Sequence, residues 1–103
     1  MRVIWTGRAQ RKADEAKQYI AADNTVAAER WIDGLLEATE QLTVFPQSGR
    51  EAPEPGLQKR AVRELTYGHY RVFYRIEAGV VSILTVRHAS RRMDEDDVLG
   101  GMS

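Results

Sequence analysis

The stretch that decides the fold covers residues 70–88 and runs YRVFYRIEAGVVSILTVRH. β-Branched and aromatic residues dominate on both sides of Ala78-Gly79, which predicts strands at about residues 70–77 and 80–87. A two-residue turn between them fixes the register of the hairpin. In that register Ile76 faces Val81 and Tyr74 faces Ile83. Continued without interruption, the register also sets Arg71 opposite Val86.

Directly opposed residues share a sheet face, so this register assigns each side chain of the hairpin to one of two faces. One face suits packing under helices and holds Val72, Tyr74, Ile76, Val81, Ile83 and Thr85. The second face holds Arg71, Phe73, Arg75, Ser82, Leu84, Val86 and His88. Arg71 and His88 should be diagonal neighbours there, roughly 7–8 Å apart. A slip of one residue would place them on opposite faces.

The residues before the hairpin predict a strand, two helices and a further strand. Residues 2–6 are rich in β-formers, and Thr6 can cap a helix over residues 8–21. A second helix should cover about residues 25–43. Residues 45–57 contain three prolines and two glycines, which we interpret as a loop without a helix or a central strand. The further strand follows at about residues 60–65, and the acidic residues 94–97 predict the first turn of a short helix.

This order of elements predicts an α+β fold. It consists of an N-terminal strand, a helical hairpin and a three-stranded antiparallel meander. The two helices should pack on one face of a twisted sheet and leave the other face more open. A chain of 103 residues is long enough for one hydrophobic core. We therefore expect a single domain over residues 1–103.

The composition narrows the class of protein. Hydrophobic residues make up 43% and charged residues 29% of the chain, which is an ordinary globular balance. The absence of cysteine excludes disulfides and thiolate metal sites and suits a reducing cytosol. No apolar run approaches the roughly 18 residues of a membrane helix. We expect a cytoplasmic protein that uses no cofactor and no metal.

Positive charge is concentrated in one half of a neutral chain. Residues 57–92 contain eight basic and two acidic side chains, so this segment carries +6 while the whole chain carries a net charge of zero. A basic segment on a neutral protein indicates a localised anionic partner surface. Solvated arginines at strand edges are the alternative explanation.

Several segments together resemble the RelE/ParE toxin superfamily. They are Phe45-Pro46-Gln47-Ser48-Gly49-Arg50, Arg63-Glu64-Leu65, Tyr70-Arg71-Val72-Phe73-Tyr74-Arg75-Ile76 and Ile83-Leu84-Thr85-Val86-Arg87-His88. With the opening Trp5-Thr6 they cover nearly the whole chain. The first and third segments are more similar to the ParE and plasmid-stabilisation branch than to the RelE branch.

The resemblance implies the toxin of a type II toxin–antitoxin system, silenced by a cognate antitoxin that wraps it. RelE-like members cut messenger RNA in the ribosomal A site, whereas ParE-like members poison DNA gyrase and lack nuclease activity. Zero net charge favours a protein target over the phosphate-rich ribosome. We therefore expect a non-enzymatic gyrase inhibitor. The alternatives are a metal-independent, ribosome-dependent RNA endonuclease and a toxin-fold protein without toxicity.

For the nuclease branch, the resemblance assigns residues to a YoeB-like active site made of a glutamate, two arginines and a histidine. Glu54, Arg63, Arg71 and His88 stand in those places. Ala89 replaces the tyrosine that would follow the histidine, and the lysine-rich site of RelE is not matched. Arg63 shares the Arg71 face if the loop after its strand has three residues (Tyr67, Gly68 and His69), and it lies on the other face if that loop has four.

Each of these residues also has a structural explanation. His88 can bond a backbone carbonyl, Arg71 can pair with Glu64 or an antitoxin carboxylate, and Glu54 can serve loop solubility. For a binding protein, Phe73 between arginines on an open face would make a docking patch. The residues expected to contact a target or an antitoxin are Arg60, Arg63, Arg71, Phe73, Arg75, Arg87 and Arg91.

Overall fold

The computed structural model describes residues 1–100. They form a five-stranded sheet with two long and two short helices. The elements are β1 (Arg2–Trp5), α1 (Gly7–Ala21), α2 (Thr25–Glu40), a 3₁₀ turn (Gln41–Thr43), β2 (Arg50–Glu51), α3 (Pro55–Lys59), β3 (Arg63–Tyr67), β4 (Tyr70–Glu77), β5 (Val80–His88) and α4 (Glu95–Val98).

The strands lie in the order β1-β5-β4-β3-β2. β1 runs parallel to β5, and every other neighbouring pair is antiparallel. The predicted fold is confirmed: an N-terminal strand and a helical hairpin precede an antiparallel meander. Within residues 1–100, no helix combines the length and the apolar character that a bilayer crossing requires.

Side-chain caps begin both long helices. Thr6 Oγ1 accepts a hydrogen bond from the Ala9 N–H at 3.1 Å, and Asn24 Oδ1 accepts one from the Ala27 N–H at 2.9 Å. Each bond satisfies an amide of the first turn that has no partner within the helix. The helices then bury small and apolar side chains on the first sheet face. This core contains Ala9, Ala13, Leu35, Leu42, Val72, Tyr74, Val81, Ile83 and Val86.

A β-bulge interrupts the hairpin and changes its register. Tyr74 pairs with Ile83 as expected, but Phe73 pairs with Thr85, which leaves Leu84 as an extra residue in β5. The predicted register is therefore right from the turn to Tyr74 and wrong beyond it. The extra residue exchanges the faces of the following positions. Val86 joins the core under the helices, and Thr85 shares the face of Phe73.

The second sheet face is covered, which corrects the expectation of an open surface. A second core lies on it and contains Ala52, Leu57, Val62, Phe73, Met93 and Val98. Phe73 is 0% exposed. Two of the covering elements come from segments flanking the meander. α3 lies in the stretch where no helix was expected and begins with Pro55, a residue suited to a first helical position. α4 is the short acidic helix that the sequence predicted.

The loop before β2 is fastened to the sheet by Tyr74 and Arg63. The Tyr74 hydroxyl donates to Pro46 O at 2.8 Å and accepts from the Gly49 N–H at 3.0 Å. Arg63 Nη2 donates to Gly49 O at 2.7 Å. A Cβ on Gly49 would lie 2.4 Å from the backbone oxygen of Glu64. Only glycine fits where the loop runs beside the backbone of β3.

We expect Gly49→Ala to lower the free energy of unfolding by about 1–3 kcal/mol, because the added methyl group collides with backbone that cannot move aside. Urea denaturation measures this change. Gly7→Ala is the matched control, because an added Cβ there meets Arg11 Nη1 at an ordinary 3.5 Å. Equal stability of the two variants would contradict the packing described for the loop.

Candidate functional site

Arg71, one of the expected site residues, lies in a cluster of ion pairs on the second sheet face. Its Nη1 and Nη2 donate to the two carboxylate oxygens of Glu54 at 2.9 and 2.8 Å. Its Nε donates to Glu64 Oε1 at 2.9 Å, and Nη2 also contacts that oxygen. All three nitrogens of the guanidinium group are therefore engaged with carboxylates of this chain.

The cluster is closed by a second arginine. Arg50 donates to the other oxygen of Glu64, from Nε at 2.8 Å and from Nη2 at 2.7 Å. Arg71 also lies over the Phe73 ring, with its Cζ 4.6 Å from the ring centroid, a favourable cation–π distance. Two arginines and two glutamates cancel in charge. The ion pair of Arg71 with Glu64, one of the structural explanations offered from the sequence, is present.

The charges of this cluster stabilise one another. The hydrogen bonds that Arg71 donates hold the pKa of the Glu54 carboxyl below its ordinary value, and the same bonds to Glu54 raise the pKa of Arg71. A carboxylate held in the ionised form by a bidentate arginine is a poor proton carrier near neutral pH. Glu54 acts here as the partner of Arg71, which also accounts for a carboxylate at the start of α3.

His88 lies away from this cluster, so the expected neighbourhood of Arg71 and His88 is wrong. The bulge pairs His88 with Tyr70 and sets Arg71 opposite Arg87. The ring of His88 is 5.4 Å from that of Tyr70 and stacks at 6.2 Å on His69. The Ser90 N–H donates to His88 Nδ1 at 3.2 Å. That nitrogen is therefore occupied as an acceptor.

Arg63 occupies a third location. A two-residue turn at Gly68-His69 aligns Arg63 with Tyr74, on the face opposite Arg71. This turn is shorter than either loop considered from the sequence. The Arg63 side chain donates to Gly49 O and to Gln47 O, at 2.7 and 3.1 Å. The four residues proposed for nuclease chemistry are thus divided among three places.

The remaining expected contact residues differ in whether their charge is paired with a carboxylate. Arg60 pairs with Glu95 at 3.1 Å, and Arg75 pairs with Glu77 at 3.1 Å. Arg87 makes no ion pair within residues 1–100, and its buried Nε has no acceptor there. Phe73 lies in the second core and cannot serve as an exposed docking residue.

Positive charge gathers where β5 ends, in a group that we call the β5-end patch: the half-buried Arg87 and the exposed Arg91 and Arg92. Arg91 and Arg92 are exposed and form no ion pair in the part of the chain that the structure describes. Arg91 borders two neighbouring depressions, one with Arg87 and His88 and the other with Arg92 and Arg71. Among residues 1–100, no three His, Asp or Glu side chains are close enough to hold a metal ion.

Sequence reasoning left Arg50 and Arg92 out of the candidate residues. Arg92 could have been found, because it stands beside Arg91 in residues 78–93, a run of 16 residues without an acidic side chain. Arg50 gives no comparable signal, because its partner Glu64 is 14 positions away and meets it only through β2–β3 pairing.

The ion pair of Glu54 and Arg71 should make the stability of the fold depend on pH. The pKa of Glu54 in the folded protein lies below its ordinary value of 4.5. Its contribution is therefore complete above about pH 4.5 and is lost as the pH falls through the folded value. We expect Glu54→Gln to cost about 2 kcal/mol at pH 7 and to flatten this acid dependence.

The pH dependence is measured as the midpoint of urea unfolding between pH 7 and pH 3. Glu15→Gln is the control, because Glu15 is a surface partner of Lys12 and surface pairs contribute little. A curve for Glu54→Gln that runs parallel to that of the unmodified protein would refute the assignment.

The comparison with known proteins agrees with this structure. The family described as the ParE toxin of the type II toxin–antitoxin system parDE matches residues 3–93. The putative toxin Y4kP of Sinorhizobium fredii is 40% identical over 93 residues, which are 88% of this chain and 91% of that protein. Toxin RelE2 of Caulobacter vibrioides is 32% identical over 90 residues, 86% of this chain and 96% of that protein.

Two solved structures share the fold. The chromosomal ParDE toxin–antitoxin system from P. aeruginosa contains a chain that aligns with a TM-score of 0.69 at 22% identity, over 85% of this chain and 95% of that one. The RelBE2 toxin–antitoxin complex from Mycobacterium tuberculosis gives a TM-score of 0.60 at 24% identity, over 84% and 95%. With the match of sequence over residues 3–93, these likenesses confirm the resemblance to the RelE/ParE superfamily. The chain belongs to the ParE family of toxins from type II toxin–antitoxin systems.

Proposed function

We propose that this toxin inhibits DNA gyrase by binding to it, without catalysing a reaction of its own. The observation that carries the proposal is the separation of the residues that a nuclease would need. Glu54 and Arg71 are bound to each other, Arg63 fastens a loop, and His88 lies on the other side of the sheet from Arg71.

RNA cleavage through attack by a 2′-hydroxyl needs a base, an acid and cations around a single phosphate. Here the best-placed cation, Arg71, is 12% exposed, and both of its carboxylate partners belong to this chain. Freeing it would leave Glu64, at 2% exposure, with one partner fewer. Such a loss is costly for a buried charge. A binding role needs none of these rearrangements.

The charge pattern supports a protein target. The chain is neutral as a whole, so it lacks the general attraction to phosphate that a ribosome-invading protein would use. Within residues 1–100, Arg91 and Arg92 of the β5-end patch are adjacent, exposed and without an ion pair. A patch of this kind favours an acidic surface on a partner and speeds encounter with it. Action on gyrase would place the protein in the cytoplasm.

A cognate antitoxin is the second partner that we propose. Apolar side chains are exposed on the long helices: Tyr19 at 79%, Val26 at 58% and Leu36 at 49%. Exposed apolar residues of this size on a small protein are typical of an interaction surface. An amphipathic antitoxin segment would cover them. The similar solved structures come from a ParDE system and a RelBE2 toxin–antitoxin complex.

A supercoiling assay with purified protein and DNA gyrase tests the proposal. We expect inhibition by the unmodified toxin and unchanged inhibition by His88→Ala. The double variant Arg91→Gln/Arg92→Gln should require roughly tenfold more protein, because rim charges of a contact surface contribute mainly to encounter and affinity. Arg30→Gln, an exposed arginine of α2, is the control for a loss of positive charge elsewhere.

Normal gyrase activity in the presence of toxin, together with cleavage of ribosome-bound message that His88→Ala abolishes, would establish the nuclease alternative. Equal effects of the double variant and of the Arg30 control would remove the β5-end patch from the proposal.

A further inference from the structure

A cleft at the far end of the second sheet face, away from the β5-end patch, is lined by more arginines than carboxylates. It measures about 750 Å³ and lies between the first turn of α1, the sheet and α4. Four arginines contribute to its wall: Arg8, Arg11, Arg60 and Arg75. Neither gyrase binding nor antitoxin binding, as proposed above, uses this cleft.

The arginines of the cleft are only partly compensated. Arg60 has a carboxylate partner in Glu95, and Arg75 has one in Glu77. Arg8 donates only to the backbone oxygens of Asp96 and Asp97, both at 3.2 Å, and neutral oxygens do not cancel its charge. Arg11 has no hydrogen bond or ion pair from its side chain within residues 1–100.

The positions of the donor groups favour a bound anion. Arg11 Nη1 lies 3.5 Å from where a Cβ on Gly7 would stand, so the guanidinium group is beside the start of α1. The Nε of Arg75 is buried without an acceptor among the residues described. That nitrogen has no surface open to the cleft, so an anion there would be bound mainly by Arg8 and the exposed Arg11.

The remaining lining combines apolar and acidic side chains. Leu84, Val98 and Leu99 are apolar, whereas Asp96 and Glu95, the partner of Arg60, contribute carboxylates. A volume of about 750 Å³ is within the usual range for small-molecule sites, which pair apolar walls with a few charged groups. A single inorganic anion would fill only a small part of this space.

We propose that this cleft binds a nucleoside polyphosphate. The phosphates would lie against Arg8, Arg11 and Arg75, since guanidinium groups bind phosphate oxygens in strong, charge-assisted pairs. The base would pack against Leu84 and Leu99. The assignment rests on these arginines.

Isothermal titration calorimetry on the full chain tests the proposal, with ATP, ADP and inorganic phosphate as ligands. ATP should bind at micromolar concentrations, at least roughly tenfold more tightly than inorganic phosphate. Arg11→Gln should weaken ATP binding about tenfold, through loss of a charge-assisted contact. Arg11 is exposed, so this variant keeps the fold, which a thermal melt verifies. Arg30→Gln should bind ATP within about twofold of the unmodified protein.

Three results would overturn the inference. The first is no heat of binding with millimolar ATP, and the second is equal weakening by Arg11→Gln and Arg30→Gln. The third is binding of a short single-stranded oligonucleotide by a protein that does not bind ATP, which would make the cleft part of a nucleic-acid surface. None of these results bears on gyrase inhibition, so the two proposals stand or fall separately.

Discussion

Glu64 carries a charge that is almost completely withdrawn from water, with 2% of its side chain exposed. A carboxylate in such a position must be paired, or its desolvation would cost several kcal/mol. Arg50 pairs with one of its oxygens and Arg71 with the other. Arg71 then uses its remaining donors on Glu54, which ties the start of α3 to the sheet. The residue that looks most like a catalytic cation is therefore fully occupied in holding the fold together.

The bulge at Leu84 determines which residues can meet on each face. It also lies where the sheet meets the first helix. The Thr6 N–H donates to Ile83 O at 3.1 Å, and Thr6 Oγ1 donates to Leu84 O at 3.2 Å. The same Oγ1 accepts from Ala9 N–H at the start of α1. The end of β1, the bulge and the first turn of α1 thus meet at one residue.

The sequence carried enough information for the elements and the turn of the hairpin. Ala78 and Gly79 both have positive φ, at 52° and 76°, as a two-residue hairpin turn requires. Thr6, as a cap, also predicted where the first long helix begins. The bulge could not be predicted, because alternation of side chains gives no signal for a single inserted residue. Everything downstream of Leu84, including the face of His88, changed with it.

The segments that cover the second sheet face could not be predicted from the sequence, for a different reason. Alternation tells which side of a strand Phe73 occupies, but it does not tell which later segment packs there. Met93 and Val98 supply that cover, and they stand in a polar stretch without a strong pattern of its own. The resemblance to known toxins gave the family correctly, while the roles of individual residues depended on contacts between distant parts of the chain.

The most direct test of this account is a nuclear Overhauser experiment on the labelled protein that locates the ring of His88. With the bulge at Leu84, the ring protons of His88 should show cross-peaks to those of Tyr70, whose ring centroid is 5.4 Å away, and none to the side chain of Arg71. Cross-peaks from His88 to Arg71 and their absence to Tyr70 would show an uninterrupted hairpin, and the separation of the nuclease residues would no longer hold.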